Sequence, residues 1–359
     1  MADSKQAPLD SAAAAKAAFA SVQGKPFPDD IFTAPELRWA VIGCGIIANQ
    51  MAQSLALAGR KLAGVANRTL SKAQAFAEQY GVEKVYETVE DLYADPDIDA
   101  VYITTPHNTH ITYLRAALAA GKHVLCEKAI TLNSAELDEA RAIADEHNVV
   151  LMDATTVLHM PLYQELRRRM DAGDFGRMNL AQLNFGSYKE YGDLTNRFYN
   201  RSLAGGAMLD IGVYALSVMR LFMVSQPVEV VSLGNTCETG VDVAGGIVCR
   251  NAEQQLGVVS LTLHSKQPKR SVISFDNCYI EINEYPRADH ATIVWTADGH
   301  REEVHAGTEA YALCYEMADL EKAVAGDDSK RELLDYASDV MELMTKLRAD
   351  WGVVYPEEE

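Results

Sequence analysis

Positive charge is scarce in this chain of 359 residues. It has 32 lysines and arginines against 51 aspartates and glutamates, a formal net charge of −19 at pH 7. That balance repels phosphate backbones and anionic membrane surfaces, so neither a nucleic acid nor a membrane is expected as partner. An anionic ligand needs a local exception. Cysteine is sparse as well: the six residues, at 44, 126, 237, 249, 278 and 314, form no Cys-x-x-Cys pair and no Cys/His group of zinc spacing. Neither a disulfide framework nor a metal site is expected, and a reducing cytoplasm is the expected setting. Uninterrupted apolar runs stop short of the roughly 20 residues that span a bilayer. The alanine-rich opening is broken by Asp3, Lys5, Asp10 and Lys16 and lacks the apolar stretch of a signal peptide. Residues 1–36 read as an extension, either a loose tail or frayed helix or an arm that packs on a partner subunit.

What is present is an ordinary globular composition, 48% hydrophobic and 23% charged, in a chain long enough for two domains. From Leu37 to about Thr155 short apolar runs ("LRWAVI", "KLAGVAN", "AVYITT", "HVLCEK", "VVLMDA") alternate with amphipathic stretches of helix length. That alternation predicts a parallel, doubly wound sheet with right-handed crossovers. After Met160 the rhythm changes. A helix over "PLYQELRRRMDAGDFG", a strand over "NLAQLNFGSY" and a helix from about Gly205 to Met223 are followed by consecutive strands from Val228 to about Val304, and two helices close the chain. Val259, Leu261 and Leu263 alternate with Val258, Ser260, Thr262 and His264, which gives that sheet one strongly apolar face and leaves a mixed face to pair with a second subunit. His264 itself reads as structural.

The first strand runs into "VIGCGIIANQMAQSL", that is Gly43-x-Gly45-x-x-Ala48, and then a helix. Gly43 permits the tight turn, Gly45 lets the backbone approach a pyrophosphate, and Ala48 allows close packing of helix on strand. The second strand ends at Asn67, where an acid would bind a ribose 2′-hydroxyl; Asn67 is neutral and Arg68 follows. A guanidinium there suits a 2′-phosphate, so NADP is favoured over NAD.

Ligands of a doubly wound sheet bind beyond the carboxyl ends of its strands. "TTPHNTH" (104–110) and "VLCEKAI" (124–130) both lie there, which puts the charge pair Glu127-Lys128 at the edge of the nicotinamide pocket. In "GGAMLDIGVYALSVM", Asp210 and Tyr214 share a helix face. A phenol is a poor base at neutral pH, and a neighbouring Lys128 ammonium would lower its pKa. A core tyrosine bonded to an aspartate is the plainer reading of the same motif. Candidate cofactor contacts are Gly43, Gly45, Ile46, Ile47, Asn67, Arg68, Thr105, Pro106, Asn108, His110, Glu127 and Lys128; candidate substrate contacts are Lys128, Asp210, Tyr214, Arg197 and Thr156. The closing "EEE" reads as a solvated tail.

These motifs, with "AVIGCGIIA", "AGKHVLCEKAIT" and "RFYNRSLAGGAMLDIGVYAL", resemble the Gfo/Idh/MocA family of nicotinamide-dependent oxidoreductases over roughly residues 37–355. Within it, "DIGVY" and "RADWGVVYP" are most similar to the dimeric dihydrodiol dehydrogenase and NADP-linked sugar dehydrogenase branch. The resemblance implies an α/β fold, with a Rossmann NADP-binding domain (37–158) and a C-terminal α/β domain (159–359) built on a large open, mainly antiparallel sheet that forms a homodimer or homotetramer. It implies Lys128 as catalytic lysine, Asp210 as the motif aspartate and Tyr214 as acid/base. Two departures stand out. Ala129 replaces the usual proline after the lysine, removing the rigid, often cis, turn. "DATTVLHMPLY" replaces the branch's tryptophan-arginine substrate segment, and Thr155, Thr156 and His159 are expected to make that wall more polar. The expected substrate is accordingly a sugar or cyclic polyol rather than an arene diol. A glycosidase that retains its nicotinamide and a non-catalytic NADP-binding regulator remain as alternatives.

Overall fold

The structure, a computed structural model, describes residues 11–359, with side chains from Lys16 onward. Its first sheet has six parallel strands: β1 Trp39–Ile42, β2 Gly64–Ala66, β3 Lys84–Tyr86, β4 Ala100–Ile103, β5 His123–Cys126 and β6 Leu151–Asp153, in the order β3-β2-β1-β4-β5-β6. Strands β1 and β4 are buried throughout, which is why they read as continuous apolar runs. Strand β3 is a three-residue edge with one exposed position, too short and too polar to stand out in the sequence. Helix Ile46–Leu57 buries Ala48, Met51, Ala52 and Leu55, the i, i+3, i+4, i+7 stripe of a helix lying on a sheet.

The second sheet has eight strands: β7 Met178–Gly186, β8 Glu229–Thr236, β9 Asp242–Arg250, β10 Leu256–Thr262, β11 Gln267–Phe275, β12 Cys278–Asn283, β13 His290–Trp295 and β14 Arg301–His305. Their order is β14-β13-β12-β11-β7-β10-β9-β8, antiparallel except where β10 runs parallel to β7. Val259, Leu261 and Leu263 are buried as their alternation requires, against helix Val213–Phe222. The segment 201–222 is long and apolar enough by composition to cross a membrane, but 78% of its most apolar stretch is buried inside the protein.

The chain then returns to the first sheet. Helix Ala312–Val324 sends Leu313, Met317 and Leu320 into the cluster that holds Trp39, Val41 and Tyr102 of the first sheet, while Ile42 and Val101 share a second cluster with Leu183 and Ile273 of the other sheet. The extension also folds back: Val22 and Ile31 are buried, and the Phe27 ring meets Tyr311 edge-on at 5.0 Å. The first ten residues of that segment lie outside the described part. Residues 355–359 are not a solvated tail. Glu358 takes Arg348 and Asn133, Glu357 takes Asn108, and Glu359 pairs with Arg201.

Candidate active site

The phosphate end begins where β1 passes into Gly43, whose φ of +102° and position leave no room for a side chain: a Cβ would stand 2.7 Å from Thr104 Oγ1. At Gly45 an added Cβ would meet nothing within 4 Å, and no side chain among the described residues caps the helix that starts there. The first N–H groups of helix Ile46–Leu57 therefore face an open cradle, the arrangement that receives a pyrophosphate. Ile46 stands 61% exposed at its rim, with Ile47 half-buried behind it. Asn67 Nδ2 donates to Thr69 O at 3.0 Å and holds the turn after β2. Arg68 is exposed and makes no hydrogen bond or ion pair with a described residue. Lys72, exposed in the first turn of helix Leu70–Tyr80, lies within electrostatic reach of Cys44. Sequence reasoning passed over Lys72; its four-residue spacing from Arg68 was the available signal. These residues fit a dinucleotide carrying a 2′-phosphate.

At the tips of β4 and β5 the structure brings Lys128, Asp210, Tyr214 and Arg197 together. Lys128 Nζ donates to both the carbonyl and the Oδ1 of Asp210, at 2.7 and 3.2 Å, and lies 5.0 Å from the centre of the Tyr214 ring. Arg197 Nη2 reaches the same Oδ1 at 3.4 Å. Met208–Gly212 is a π-helical turn, in which the Val213 N–H returns to Met208 O, ahead of helix Val213–Phe222. Such a widened turn is frequent at functional sites. Gly205 lets it sit close, since a Cβ there would stand 2.6 Å from Arg197 O.

Charge follows from this packing. Burial opposes the Lys128 ammonium, but Asp210 and Tyr214 outweigh it, so its pKa is raised. Burial likewise opposes the Asp210 carboxylate, and Lys128 with Arg197 holds it below the usual carboxylate range. For Tyr214 the outcome departs from the sequence expectation. Lys128 does pull the phenol down, but burial pushes it up by more, and the net shift is upward. The resting phenol is neutral, an acid before it is a base.

His107 was missed, and His110 was chosen in its place. His110 is fully buried with Nδ1 3.0 Å from Ala129 O and Nε2 2.8 Å from Thr105 O, so it pins the loops after β4 and β5 and has no free edge for a cofactor. His107, three residues earlier in the same motif, sets Nε2 3.0 Å from Lys128 O. Burial and then Lys128 drive its pKa down to about 3, so it acts as a neutral support for the lysine backbone. Three further expectations are corrected. The Glu127 carboxylate turns inward to accept from the Tyr102 hydroxyl rather than toward the cradle. Thr155, Thr156 and His159 are buried and form no wall: Thr155 donates to Asp153 Oδ1, and His159 lies between Asp153 O and Asp319. The Lys128–Ala129 peptide is cis although no proline follows. Of the others, Thr105 is half-buried and accepts from Thr109 Oγ1, Pro106 is exposed, and Asn108 commits Nδ2 to Ser202 O and Glu357 while its Oδ1 is buried without a partner among the described residues. His264 follows β10 and packs edge-on against Tyr191 at 4.8 Å.

Beneath Lys128 lies a group of buried acids. Glu316, on helix Ala312–Val324, is fully buried, and burial followed by the charge of Glu127 raises its pKa well above the ordinary value, against the opposing pull of the Thr156 hydroxyl and Arg287. Two buried carboxyls that close resist joint ionisation. The sign for stability follows: the folded state keeps a proton that the unfolded chain releases, so stability is greatest below the unfolded glutamate value of about 4.3 and falls as pH rises above it. Glu316→Gln should remove that loss. Unfolding free energies of the variant from urea titration are expected to exceed the parent's at about pH 8, by about 1 kcal/mol or more, and to converge with them near pH 4. Parallel curves at all pH values would contradict a proton kept on Glu316.

Comparison with known proteins agrees with this geometry. Residues 37–155 match the family described as "Oxidoreductase family, NAD-binding Rossmann fold", and residues 163–281 match the GFO/IDH/MocA C-terminal domain. The chain belongs to the GFO/IDH/MocA oxidoreductase family. A trans-1,2-dihydrobenzene-1,2-diol dehydrogenase of Xenopus tropicalis is 31% identical over 251 residues, 68% of this chain and 74% of that protein. The corresponding Sus scrofa enzyme is 28% identical over 340 residues, 90% of this chain and 99% of that protein. Among solved structures, a 3-ketoreductase from Actinomadura kijaniata with NADP and TDP-benzene has a TM-score of 0.75 at 24% identity, covering 88% of this chain and 98% of that one. Levoglucosan dehydrogenase with NADH and levoglucosan has a TM-score of 0.76 at 20% identity, covering 87% and 97%. At such identities the GFO/IDH/MocA likeness in structure speaks for the fold.

Proposed function

We propose that the protein is an NADP(H)-dependent oxidoreductase that moves a hydride between the nicotinamide and a secondary hydroxyl or ketone of a sugar or cyclic polyol. The observation that carries this reading is the junction of Lys128, Asp210 and Tyr214 at the strand tips beside an open phosphate cradle. Gly43, Gly45 and Ile46 would hold the dinucleotide, with Arg68 and Lys72 facing a 2′-phosphate. Bound there, the nicotinamide supplies or takes the hydride. Tyr214 gives its proton to the carbonyl oxygen in reduction and takes it back in oxidation, Lys128 stabilises the oxygen as negative charge develops, and Asp210 holds Lys128 and a substrate hydroxyl. Because burial keeps the phenol protonated, ketone reduction should be level through neutral pH and fall only on the alkaline side, while oxidation rises over the same range. The test is NADPH and NADP absorbance with a panel of aldoses, inositols and keto-sugars. Cofactor binding without turnover of any member would defeat the reading.

Cofactor choice has its own test. Arg68→Asp should shift preference toward NAD by about tenfold or more, since it replaces a partner of the 2′-phosphate with a repelling carboxylate. Equal losses for both cofactors, measured as kcat/KM, would deny Arg68 that role.

Self-association through the second sheet belongs to the same proposal. Val231 and Leu233 are 75% and 84% exposed on edge strand β8, beside Val248 at 46% on β9. The alternate positions face inward, where Trp351 Nε1 donates to Ser232 Oγ and the indole fills the space above Gly234 and Gly245. Such an apolar row suits a homodimer or homotetramer. Light scattering at micromolar concentration should give a dimer or larger for the parent and a monomer for Val231→Asp with Leu233→Asp; a monomeric parent would refute it. All six cysteines are free thiols, in keeping with a cytoplasmic protein.

A further inference from the structure

Asp210 holds Lys128 through its backbone as much as through its carboxylate. The shorter of the two bonds from Lys128 Nζ goes to the Asp210 carbonyl, at 2.7 Å against 3.2 Å for Oδ1, so the lysine follows the main chain of the π-helical turn. That turn opens a run of helix from Met208 to Phe222 that carries both Asp210 and Tyr214. The first N–H groups of a helix need acceptors from outside it. Ala207, at the cap position, has no side chain that can accept one.

The acceptor comes from the second sheet. Asp242, fully buried at the start of β9, takes the Met208 N–H on Oδ2 at 2.6 Å. Its Oδ1 packs against Gly206, where an added Cβ would collide with it. Gly206, at a φ of +126°, accepts the Asp210 N–H on its carbonyl at 3.3 Å and donates its own N–H to Phe198 O at 3.0 Å. One carboxylate thus lies against both residues that set the main chain of Asp210. Arg348, forked on Glu358, and Tyr355, bonded to Gly205 O, are within electrostatic reach of it from the end of the chain. Burial pushes the Asp242 carboxyl up to about 6, against the pull of the Met208, Asp242 and Ala207 N–H groups and of Arg348. A folded value above the unfolded one, about 3.9, means that stability falls as pH rises between the two. At neutral pH the carboxylate stands at a cost to the fold that an amide of the same shape would avoid.

We propose that Asp242 is a positioning residue for the reaction: it anchors the start of the helix that carries Asp210 and Tyr214, and through the Asp210 carbonyl it fixes Lys128. A charged acceptor bonds an N–H more strongly than a neutral one, and negative charge suits a helix N-terminus. This rests on the oxidoreductase reading and adds to its machinery a buried residue that acts through others.

The test reads Lys128 itself, by its rate of acetylation with acetic anhydride in the full chain at pH 8, followed by peptide mass spectrometry. Lys346, exposed and paired with Asp350, is the internal standard. Asp242→Ala removes the acceptor, so the hold of Asp210 on Lys128 slackens, the ammonium loses about one pKa unit and labelling of Lys128 rises about tenfold. Asp242→Asn, which can still accept the Met208 N–H but without charge, should show a smaller rise, about threefold, and melt no lower than the parent at pH 8. On whichever sugar or polyol the panel shows to turn over, kcat of Asp242→Ala should fall about tenfold, with KM and the NADP Kd within about twofold. If Asp242→Ala fails to fold, the Asp242→Asn labelling and melting decide the matter. Unchanged labelling of Lys128 in Asp242→Asn would overturn the proposal. So would an equal rise at Lys128 and Lys346 with a lowered Tm, which would leave Asp242 a core residue and nothing more. Because labelling needs no substrate, its failure is separable from failure of the oxidoreductase assay.

Discussion

Lys128→Met should lower kcat/KM by roughly 10²-fold or more while leaving NADP binding nearly unchanged, a loss of about 2.7 kcal/mol in transition-state stabilisation. Methionine matches the lysine in length, so the change removes charge and donors more than shape. Lys128 Nζ is held by the carbonyl and carboxylate of Asp210 and sits over Tyr214. Its loss should therefore overlap with that of Tyr214→Phe, because members of one proton-transfer unit are not additive: the double variant is expected to fall little below the worse single one. The pH profile provides the sharper reading. Lys128 is what opposes burial at the Tyr214 hydroxyl. Without it the phenol rises further, so the alkaline limb of ketone reduction should move to higher pH in Lys128→Met. Undiminished turnover with only a lowered Tm would make the charge pair an ordinary strand-end feature and remove the lysine from the chemistry.

The site was legible in the sequence where the chemistry needs a residue type at a fixed chain position, and illegible where it depends on which way a side chain turns. Gly43 and Gly45 follow from the strand-turn-helix context, and Lys128 from its place at a strand tip. Asp210 and Tyr214 also meet Lys128, although through a π-helical turn that spacing alone does not reveal. "TTPHNTH" offers two histidines, and nothing in the string says that His110 begins the buried face of a helix while His107 stays at its lip. Thr155, Thr156 and His159 read as a polar wall because they follow β6, yet they turn into a hydrogen-bonded interior. Asp242 lies 34 residues beyond Met208 at the start of β9, and only the fold brings the two together. The shift of Tyr214 was misjudged for a related reason: a charge neighbour can be guessed from motif order, whereas burial is a property of the packed structure.

The sequence likewise gave no hint of how residues 353–358 are held, and there the largest effect on stability is expected. Arg348 is 2% exposed, donates to Glu358 Oε1 at 2.7 Å and Oε2 at 2.9 Å and to Leu132 O at 2.6 Å, and stacks 4.6 Å from the centre of the Tyr355 ring. Tyr355 in turn donates its hydroxyl to Gly205 O at 2.7 Å, which ties this strap to the turn that precedes Asp210. Burial works against an ionised Glu358, but the Arg348 fork wins and its pKa is lowered. The strap thus contributes stability above the unfolded glutamate value, and that contribution is lost as pH falls through the folded one. Breaking a buried pair by removing one partner costs about 3–5 kcal/mol, because the survivor is left unpaired. The Glu358 side chain retains 14% exposure and can recover some hydration, which puts Arg348→Met near the lower figure. In melting experiments on a chain of 359 residues that corresponds to a fall of roughly 4 °C. Arg348→Lys should fall between, since an ammonium cannot serve both carboxylate oxygens and the Leu132 carbonyl in one plane. Adding Glu358→Gln to Arg348→Met should recover part of the loss, the signature of a coupled pair. If instead the two losses simply add, the pair is not coupled and the strap is held by Tyr355 alone.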